Sequence, residues 1–268
     1  MARPIVFCSD YGLEDEFVGV CHGVIARIAP DARVIDLAHT VTRHDVAEGA
    51  ALLARAAPYM PADSVYLAVV DPGVGSERRP IAVESTPGAL LVGPDNGLLV
   101  PALDVLGGAA RAVRIAEPRY LLAPISRTFH GRDVFAPAAA HLAIGVPLHE
   151  LGPDQNPSSL ETLQLPRPEI RDGTLLSSVL GLDRFGNVQL NVGEHDLQAA
   201  GFSGATKLRL ETPRGSTTVR LVHAFSDVPD GELAALIDSS GFLALIVNRG
   251  SAALELGLEP GDGLLIRR

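Results

Sequence analysis

Asp71 is the residue whose type and position first indicate chemistry in this sequence. It follows the apolar run Val65–Val70 and precedes a glycine-rich bend that leads to Arg78 and Arg79. Such a run predicts a buried strand, and ligands of open α/β sheets bind at the carboxyl ends of their strands. A carboxylate there can accept a hydrogen bond from a nucleophile. Pro72-Gly73 is also typical of a plain turn that carries a solvated acid.

Asp10 has the same kind of position at the end of the first apolar run, in "SDYGLEDEFVG". An acid at a strand end can accept both hydroxyls of a ribose. The sequence lacks the G-x-G-x-x-G fingerprint of dinucleotide-binding folds, so a pyrophosphate cradle is not supported, and a nucleoside without phosphates remains as a candidate ligand. The alternative is a structural role, with Asp10 capping a helix that begins near Leu13.

His130 stands directly before a predicted helix in "RTFHGRDVFAPAAAHLA". It could act as a general base, as an orienting donor or as an ordinary loop residue. We expect Asp133 to cap the helix. Gly131 leaves room for another group to approach the backbone.

The second half of the chain carries a further polar group in "GLDRFGNVQLNV". Phe185 offers a stacking face, Asn187 can donate and accept at a purine edge, and Asp183 adds a carboxylate. The same residues also fit a hairpin turn. Polar residues near the end of the chain are candidate ligand contacts or ordinary turn residues: Ser239, Ser240 and Asn248.

A metal site is the alternative from a different chemical class. Imidazole and carboxylate groups that bind zinc or manganese occur at His39, His44, Asp45, Asp10, Asp71, His130 and Asp133. Their spacing matches no compact motif such as H-E-x-x-H. His44-Asp45 more simply predicts the start of a helix. We therefore expect no metal ligands among the site residues.

The elements that must position these residues follow from periodicity. In the first half, apolar runs predict strands at Ile5–Cys8, Val34–Leu37, Val65–Val70, Ile81–Val83 and Leu90–Val92. Helical patterns cover Asp15–Ile28, Val46–Ala57 and Asp133–Ile144. This alternation predicts an α/β domain with a Rossmann-like, mainly parallel sheet.

The pattern changes after a stretch rich in proline and polar residues. We predict an α/β domain over residues 1–150, a linker over 151–172 and a smaller domain over 173–268. Short strand-like runs in the last part indicate a β-barrel or a sandwich, at Leu175–Leu182, Asn187–Asn191, Lys207–Leu210, Thr217–Leu221 and Phe242–Val247.

Composition limits the possible partners. The chain has 268 residues, of which 47% are hydrophobic, and a formal charge of −10 without a basic cluster, which argues against nucleic-acid binding. Cys8 and Cys21 lie in apolar segments and fit small buried residues of a reducing compartment. The N-terminal residues do not resemble a signal peptide and no apolar run reaches bilayer length, so we expect a cytoplasmic protein without membrane contact.

Taken in order, these motifs resemble the S-adenosylmethionine (SAM) hydroxide adenosyltransferases, which are adenosine-forming SAM hydrolases related to fluorinases and chlorinases. The resemblance covers nearly the whole chain, and its motifs are "SDYG", "VVDPGVGSERR", "GPDNGLL", "TFHGRD", "DRFGN" and "VNRGSAA". It implies an N-terminal α/β domain, a C-terminal β-barrel and a homotrimer with active sites between neighbouring subunits. It also implies hydrolysis of SAM at the ribose C5′ to adenosine and L-methionine, without a cofactor.

The resemblance assigns roles to individual residues. The family's Asp–Arg–His set corresponds to Asp71, Arg78 and His130, and Arg79 is then not part of it. Substrate contacts are implied at Asp10 for the ribose, at Asn187 and the backbone of Asn248 and Arg249 for adenine, and at Asp183 and Ser239 for the methionine group. Phe185 joins the substrate-binding residues through its stacking face. Halogenases carry an arginine at the position of Ser240, so the contact to the substrate carboxylate is not assigned.

Two other functions remain to be tested against this one. In fluorinase-like sequences, the positions of Asp71 and Gly131 carry a tyrosine and a serine. A halide site requires neutral donors, and a nearby carboxylate would repel the anion, so the sequence favours hydrolysis over halogenation. A noncatalytic protein that binds adenosine or SAM is the second alternative.

Overall fold

The computed structural model describes residues 2–163 and 167–268. The chain divides into two compact units, Met1–Gln164 and Leu165–Arg268. The first unit is an α/β domain, and the second is built mainly from β-strands.

The first unit contains a seven-stranded sheet. Its strands are β1 (Ile5–Ser9), β2 (Val34–Ala38), β3 (Val65–Val69), β4 (Pro80–Ser85), β5 (Leu90–Pro94), β6 (Ala109–Arg114) and β7 (Asp154–Gln155). Their order is β2-β1-β3-β5-β4-β6-β7. The first four strands in this order pair in parallel, and β4, β6 and β7 extend the sheet by antiparallel pairing.

Helices cover both faces of this sheet. They are α1 (Phe17–Ile28), α2 (Val46–Ala56), α3 (Val100–Val105) and α4 (Ala136–Ala143), and a π-helical turn at Gly131–Phe135 leads into α4. Side chains alternate along a strand, so Phe7 of β1 packs with α1 and α4, whereas Val6 packs with α2 and α3. The result is a three-layer α/β/α domain with one core on each side of the sheet.

The second unit begins with β8 (Glu169–Arg171). It continues with β9 (Thr174–Leu182), β10 (Val188–Gly193), α5 (Glu194–Ala199), β11 (Lys207–Thr212), β12 (Gly215–Val222), β13 (Leu233–Ile237), β14 (Phe242–Val247), α6 (Ala252–Leu256) and β15 (Gly263–Arg267). Seven strands follow one another in the order β10-β14-β13-β12-β11-β15-β9, and pairing of β9 with β10 closes the ring. β8 pairs with β9 outside this ring.

The predicted fold class is confirmed: an α/β unit with a parallel core in its sheet is followed by a closed β-barrel. The barrel excludes the sandwich alternative. Sequence periodicity missed several helices and strands: α3, α5, α6, β6, β7, β8, β13 and β15. In β6, Ala110, Arg111 and Arg114 are exposed and only Ala112 and Val113 are buried, so the apolar signal was weak.

The limits of the predicted domains and linker stay a prediction. The division of the chain into two units falls after residue 164. Residues 151–172 include β7, a 3₁₀ turn at Pro157–Ser159 and β8. Residues 164–166 of the predicted linker lie outside the described residues. Among the described helices, none combines the length and the apolar character needed to cross a bilayer.

Candidate active site

The carboxyl edge of the parallel sheet carries both predicted acids. Asp10 follows β1 and Asp71 follows Val70, one residue past β3. Because Ser9 pairs with Val69 in a parallel register, the two acids emerge side by side. They line a cleft of about 370 Å³ whose wall also contains Tyr11, Phe129 and His130.

Asp71, Arg78 and His130 form one hydrogen-bonded set. Arg78 Nε donates to Asp71 Oδ1 over 2.8 Å, and Arg78 Nη2 also pairs with Asp71 Oδ2. Arg78 Nη2 lies 2.8 Å from His130 Nδ1. The Asp71 and Arg78 side chains are only 6% and 9% exposed, so the ion pair is shielded from bulk water.

A tight bend returns Arg78 to Asp71. The amide of Val74 donates to the Asp71 carbonyl, and Gly75 has a φ of +78°, which favours glycine. A Cβ on Gly75 would come within 2.4 Å of the Arg127 carbonyl oxygen. The guanidinium of Arg78 also stacks over the ring of Phe135, with 5.0 Å from Cζ to the ring centroid.

The contact with Arg78 fixes the protonation of His130. A guanidinium has only donors, so Nδ1 of the imidazole must accept the hydrogen bond. The neutral ring then carries its proton on Nε2. Burial and the positive charge of Arg78 lower the pKa of His130 below its ordinary value of 6.5. At neutral pH the ring is therefore a neutral donor through Nε2–H.

Arg78 keeps one donor unpaired. Its Nη1 is buried and has no hydrogen-bond partner within the described part of the chain. A buried donor without a partner costs about 1–3 kcal/mol, so a polar ligand or a solvent molecule at this position would be stabilised.

Arg79 points to a separate network, although it is adjacent to Arg78. Its Nε donates to Asp95 Oδ2 over 2.7 Å, and its Nη2 donates to the Ser159 carbonyl over 2.5 Å. These bonds hold the segment after β5 against the end of the first unit.

Asp10 does not cap α1. The helix begins at Phe17, and its N-cap residue, Glu16, makes no side-chain cap. Asp10 Oδ2 instead accepts from the backbone amide of His44 over 2.9 Å. His44 has a φ of +66°, in the left-handed region that non-glycine residues rarely adopt. The structural alternative for Asp10 as a helix cap is thus wrong.

Gly131 leaves the space that Tyr11 occupies. A Cβ on Gly131 would lie 2.0 Å from the Tyr11 hydroxyl oxygen. The Tyr11 ring packs edge-on against Phe129 at 5.7 Å between centroids, and Phe129 packs against Phe17 at 5.0 Å. Burial raises the pKa of Tyr11 well above 10, so its hydroxyl stays protonated in this aromatic wall.

The predicted cap role of Asp133 is wrong. Asp133 lies within the π-helical turn, and its side chain is 2% exposed. Its Oδ2 accepts from the amide of Ser126 over 2.8 Å, and Arg132 Nε donates to its Oδ1. Asp133 therefore holds the loop that precedes His130.

Three candidate contacts of the second unit, Asp183, Phe185 and Asn187, lie in the turn between β9 and β10. Asp183 Oδ1 accepts from the amides of Phe185 and Asn187, so the hairpin alternative describes this segment correctly. The Phe185 side chain is 73% exposed. A pocket of about 660 Å³ in the second unit is lined by Phe185, Asn187, Phe225, Val247, Arg249, Gly250 and Ser251.

Asn248 and Arg249 follow β14 and contact Asp230. Asn248 Nδ2 donates to the Val228 carbonyl over 2.8 Å and to Asp230 Oδ1 over 3.3 Å. Arg249 Nη1 donates to Asp230 Oδ2 over 2.9 Å. The side chain of Asn248 is thus used within the unit. Ser239 is exposed in the turn between β13 and β14.

The structure does not support a metal site at the residues that the sequence suggested. Among the described residues, His39, His44, Asp45 and the acids of the cleft do not form one group. Asp45 caps α2 by accepting from the amide of Glu48 over 2.8 Å. His39 lies instead near two residues that sequence reasoning did not consider, His22 and Asp36.

Sequence reasoning also missed part of the cleft wall. Tyr11, Asp15 and Arg43 line it. Tyr11 and Asp15 lie in the same motif as Asp10, "SDYGLEDEFVG". Their closeness in sequence to the end of β1 could have indicated that they line the cleft. Arg43 is exposed and makes no ion pair with any described residue. Only the path of the loop before α2 brings it to the cleft.

Comparisons with known proteins agree with this two-unit organisation. The model of the SAM hydroxide adenosyltransferase N-terminal domain matches residues 5–152, and that of the C-terminal domain of the same family matches residues 177–265. The chain is 51% identical over 264 residues to an (R)-S-adenosyl-L-methionine hydrolase of Salinispora tropica, covering 98% of this chain and 97% of the relative. It is 48% identical to a hydrolase of the same name from Salinispora arenicola, with the same coverage of both chains.

A solved structure supports the fold as well. A crystal structure of an uncharacterized conserved protein from Thermotoga maritima superposes with a TM-score of 0.92 and 35% identity. The match covers 98% of this chain and all of that chain. A fluorinase from an Actinoplanes species is more distant, with 29% identity over 97% of this chain and 96% of its own length.

Proposed function

This chain belongs to the SAM hydroxide adenosyltransferase family, and from that premise we propose that it hydrolyses SAM to adenosine and L-methionine. The observation that carries the proposal is the hydrogen-bonded Asp71–Arg78–His130 set, of which Asp71 and His130 line the cleft. The Salinispora relatives are named for the (R) form of the substrate, so we propose the (R) sulfonium as the substrate here.

The chemistry requires an aligned water molecule. The sulfonium makes C5′ of the ribose electrophilic. The water oxygen forms a bond to C5′ as the C5′–S bond breaks, and the electron pair stays on sulfur in neutral methionine. Holding this water in line could lower the barrier by up to ~7–11 kcal/mol. Help from a base could add roughly 10²–10⁴ in rate.

We propose a separate role for each residue of the catalytic set. Asp71 is the acceptor for the attacking water, because His130 Nδ1 already accepts from Arg78. His130 then donates from Nε2 and orients the oxygen. Arg78 cannot take a proton; it positions both partners and stabilises the hydroxide-like oxygen through its positive charge.

Halogenation is the less favoured alternative. A halide at the same position would face the carboxylate of Asp71 without water to screen the repulsion. The Tyr11 hydroxyl also occupies the space that a serine side chain would need at position 131. Both features favour water over an anion as the nucleophile.

Substrate contacts follow the family assignment, and Phe185 is added because its ring offers a stacking face. We propose Asp10 for the ribose hydroxyls, Phe185, Asn187 and the backbone of Asn248 and Arg249 for adenine, and Asp183 and Ser239 for the methionine group. The exposed face of Phe185 and the pocket beside it support stacking of a base. Arg43 is an additional candidate for the substrate carboxylate, since Ser240 offers no positive charge.

Assembly and location are also proposals. Family resemblance supports a homotrimer with active sites between neighbouring subunits, and analytical ultracentrifugation would test it. We propose a cytoplasmic enzyme without a nucleic-acid partner, in agreement with the formal charge of −10. Hydrolysis as proposed uses no metal or redox cofactor.

The direct test is incubation of purified protein with each sulfonium epimer of SAM. Chromatography should detect adenosine and methionine, faster from the (R) form. Asp71→Asn should lower kcat by about 10²-fold or more, because the water loses its anionic acceptor. Asp63→Asn, in an exposed turn of the same unit, is the matched control.

Three results would contradict the proposal. Formation of 5′-chloro-5′-deoxyadenosine with chloride would establish a halogenase. Tight binding of SAM without turnover over long incubation would indicate a sensor. A metal ion bound by Asp10 and Asp71 in the cleft, with activity lost to a chelator and restored by adding metal, would indicate a metallohydrolase.

A further inference from the structure

Three side chains outside the cleft converge on one point. His22 lies on α1, Asp36 on β2, and His39 one residue after β2 ends. His22 Nε2 lies 2.8 Å from Asp36 Oδ1, and His39 Nε2 lies 3.0 Å from the same oxygen. All three potential ligand atoms lie within 4.8 Å of one another. We propose that His22, Asp36 and His39 form a binding site for a divalent transition metal, with Zn²⁺ as the metal.

The donor set fits this class of ion. Two imidazole nitrogens and one carboxylate oxygen are typical ligands of zinc and neighbouring metals, whereas calcium and magnesium prefer sites made of oxygen. Ligand atoms about 2.0–2.1 Å from a tetrahedral zinc lie roughly 3.4 Å apart. The two histidine Nε2 atoms lie 2.8 and 3.0 Å from Asp36 Oδ1. Each of these distances would have to increase by only about half an ångström to accommodate zinc.

The most buried ligand is already oriented. Ser9 Oγ lies 2.8 Å from His39 Nδ1, the nitrogen that does not face Asp36. With Nδ1 donating to Ser9, the lone pair of Nε2 is directed at the metal position, as in many zinc sites. His39 is 4% exposed, and its ring packs edge-on against Phe7 at 4.6 Å between centroids.

The other side of the cluster is open to solvent. The side chains of His22 and Asp36 are 34% and 46% exposed. A metal ion can therefore enter, and water can complete its coordination. Both imidazole Nε2 atoms face the same Asp36 oxygen, so the three donor atoms already surround one point that a single cation could share.

The location gives the site a structural role. None of its three residues lines the cleft, and Ser9, its hydrogen-bond partner, directly precedes Asp10. The His39 carbonyl also accepts from the amide of Gly12 over 2.7 Å. A bound metal would tie α1 to β2 beside the end of β1 that positions Asp10. This inference goes beyond the proposed function and does not depend on it.

The test is calorimetric titration of chelator-treated full-length protein with ZnCl₂. Wild type should bind one Zn²⁺ per chain at this site. His22→Gln retains a hydrogen-bond donor for Asp36 but removes the ligand, and it should weaken binding by more than the roughly 10–100-fold loss typical of outer partners. Ser9→Ala should fall within that 10–100-fold range. His195→Ala, at an exposed position on α5, is the matched control and should bind as wild type does.

Thermal unfolding gives a second measurement. Zn²⁺ should raise the Tm of wild type and of His195→Ala, and it should leave the Tm of His22→Gln unchanged. Circular dichroism without metal checks that His22→Gln is folded, as expected for a partly exposed position. Absence of saturable binding by wild type would overturn the proposal. So would equal affinity of wild type and His22→Gln, because the cluster would then be a hydrogen-bonded network only.

Discussion

At the residue scale, the planar shape of the guanidinium determines which contacts Arg78 makes. One planar group contacts both oxygens of Asp71 and also His130 Nδ1. A lysine ammonium is a compact point charge and cannot reproduce this fork. Arg78 is therefore not interchangeable with lysine, although the charge would be the same.

The first prediction concerns this difference. Arg78→Lys should lower kcat for SAM hydrolysis by about 10²-fold or more, because Asp71 and His130 lose their common support. Arg79→Lys is the matched control: it changes a pair with Asp95, away from the catalytic set, and should retain most of the activity. Equal losses in the two variants would contradict the role of Arg78.

The second prediction concerns pH. Burial and Arg78 lower the pKa of His130 below 6.5, so the neutral ring predominates at and above neutral pH. Protonation would remove the acceptor at Nδ1 and place a second positive charge beside Arg78. A plot of kcat against pH should be flat through neutrality and fall on acidification, with an apparent pKa below 6.5. An acid limb above this value would argue against a neutral His130.

The third prediction concerns the contact between Gly131 and Tyr11. Gly131→Ala should destabilise the folded protein by about 1–3 kcal/mol through overpacking, since Cβ would overlap the Tyr11 hydroxyl. Adding Tyr11→Phe removes that oxygen and should restore part of the loss. Urea unfolding of both single variants and the double variant measures the coupling. If the changes in unfolding free energy of the two single variants simply add in the double variant, the Cβ of position 131 does not clash with the Tyr11 hydroxyl.

At the scale of elements, strand ends explain why much of the site could be predicted. The apolar runs of β1 and β3 are unambiguous, so Asp10 and Asp71 could be placed at one sheet edge before the structure was known. The bend after Asp71 leads to both Arg78 and Arg79, and the choice of Arg78 came from the family resemblance. The fold itself followed from the alternation of strands and helices.

Other parts of the site depend on contacts between distant segments. Asp133 resembles a helix cap in sequence, but the π-helical turn draws its carboxylate to the amide of Ser126. Arg43 reaches the cleft through a loop whose path the sequence pattern does not determine. His22 and His39 are 17 residues apart in sequence, and they meet only because α1 packs beside β2. These arrangements have no local periodic signal.

The fourth prediction concerns the start of α2. Asp45 accepts from the amide of Glu48, so Asp45→Ala should lower the free energy of unfolding by about 1 kcal/mol. Asp63→Ala removes an equal charge from an exposed turn and serves as the control. Urea denaturation measures both. If Asp63→Ala lowers the free energy of unfolding as much as Asp45→Ala does, the loss is due to the removed charge and not to the helix cap.

At the scale of the whole molecule, the two thiols report on the integrity of the first unit. Cys8 and Cys21 are fully buried, on opposite faces of the sheet, and are not paired with each other. Burial raises the pKa of each thiol to about 12, so neither is reactive in the folded state.

The fifth prediction follows from this burial. The native protein should react very slowly with an aromatic disulfide reagent, and both thiols should react rapidly in denaturant. Absorbance of the released thiolate measures the rate. Fast reaction of one thiol under native conditions would show that one face of the sheet opens by itself.

The closed ring of the second unit constrains how its sequence can change. In an open sheet, an outer strand can slide by two residues and disturb one neighbour. Here each of the seven strands pairs with a neighbour on both sides. A shift in the register of one strand pair must therefore be compensated by shifts in the other pairs of the barrel. Insertions and deletions should therefore accumulate in the connecting turns, and the strand lengths should vary little among descendants of this gene.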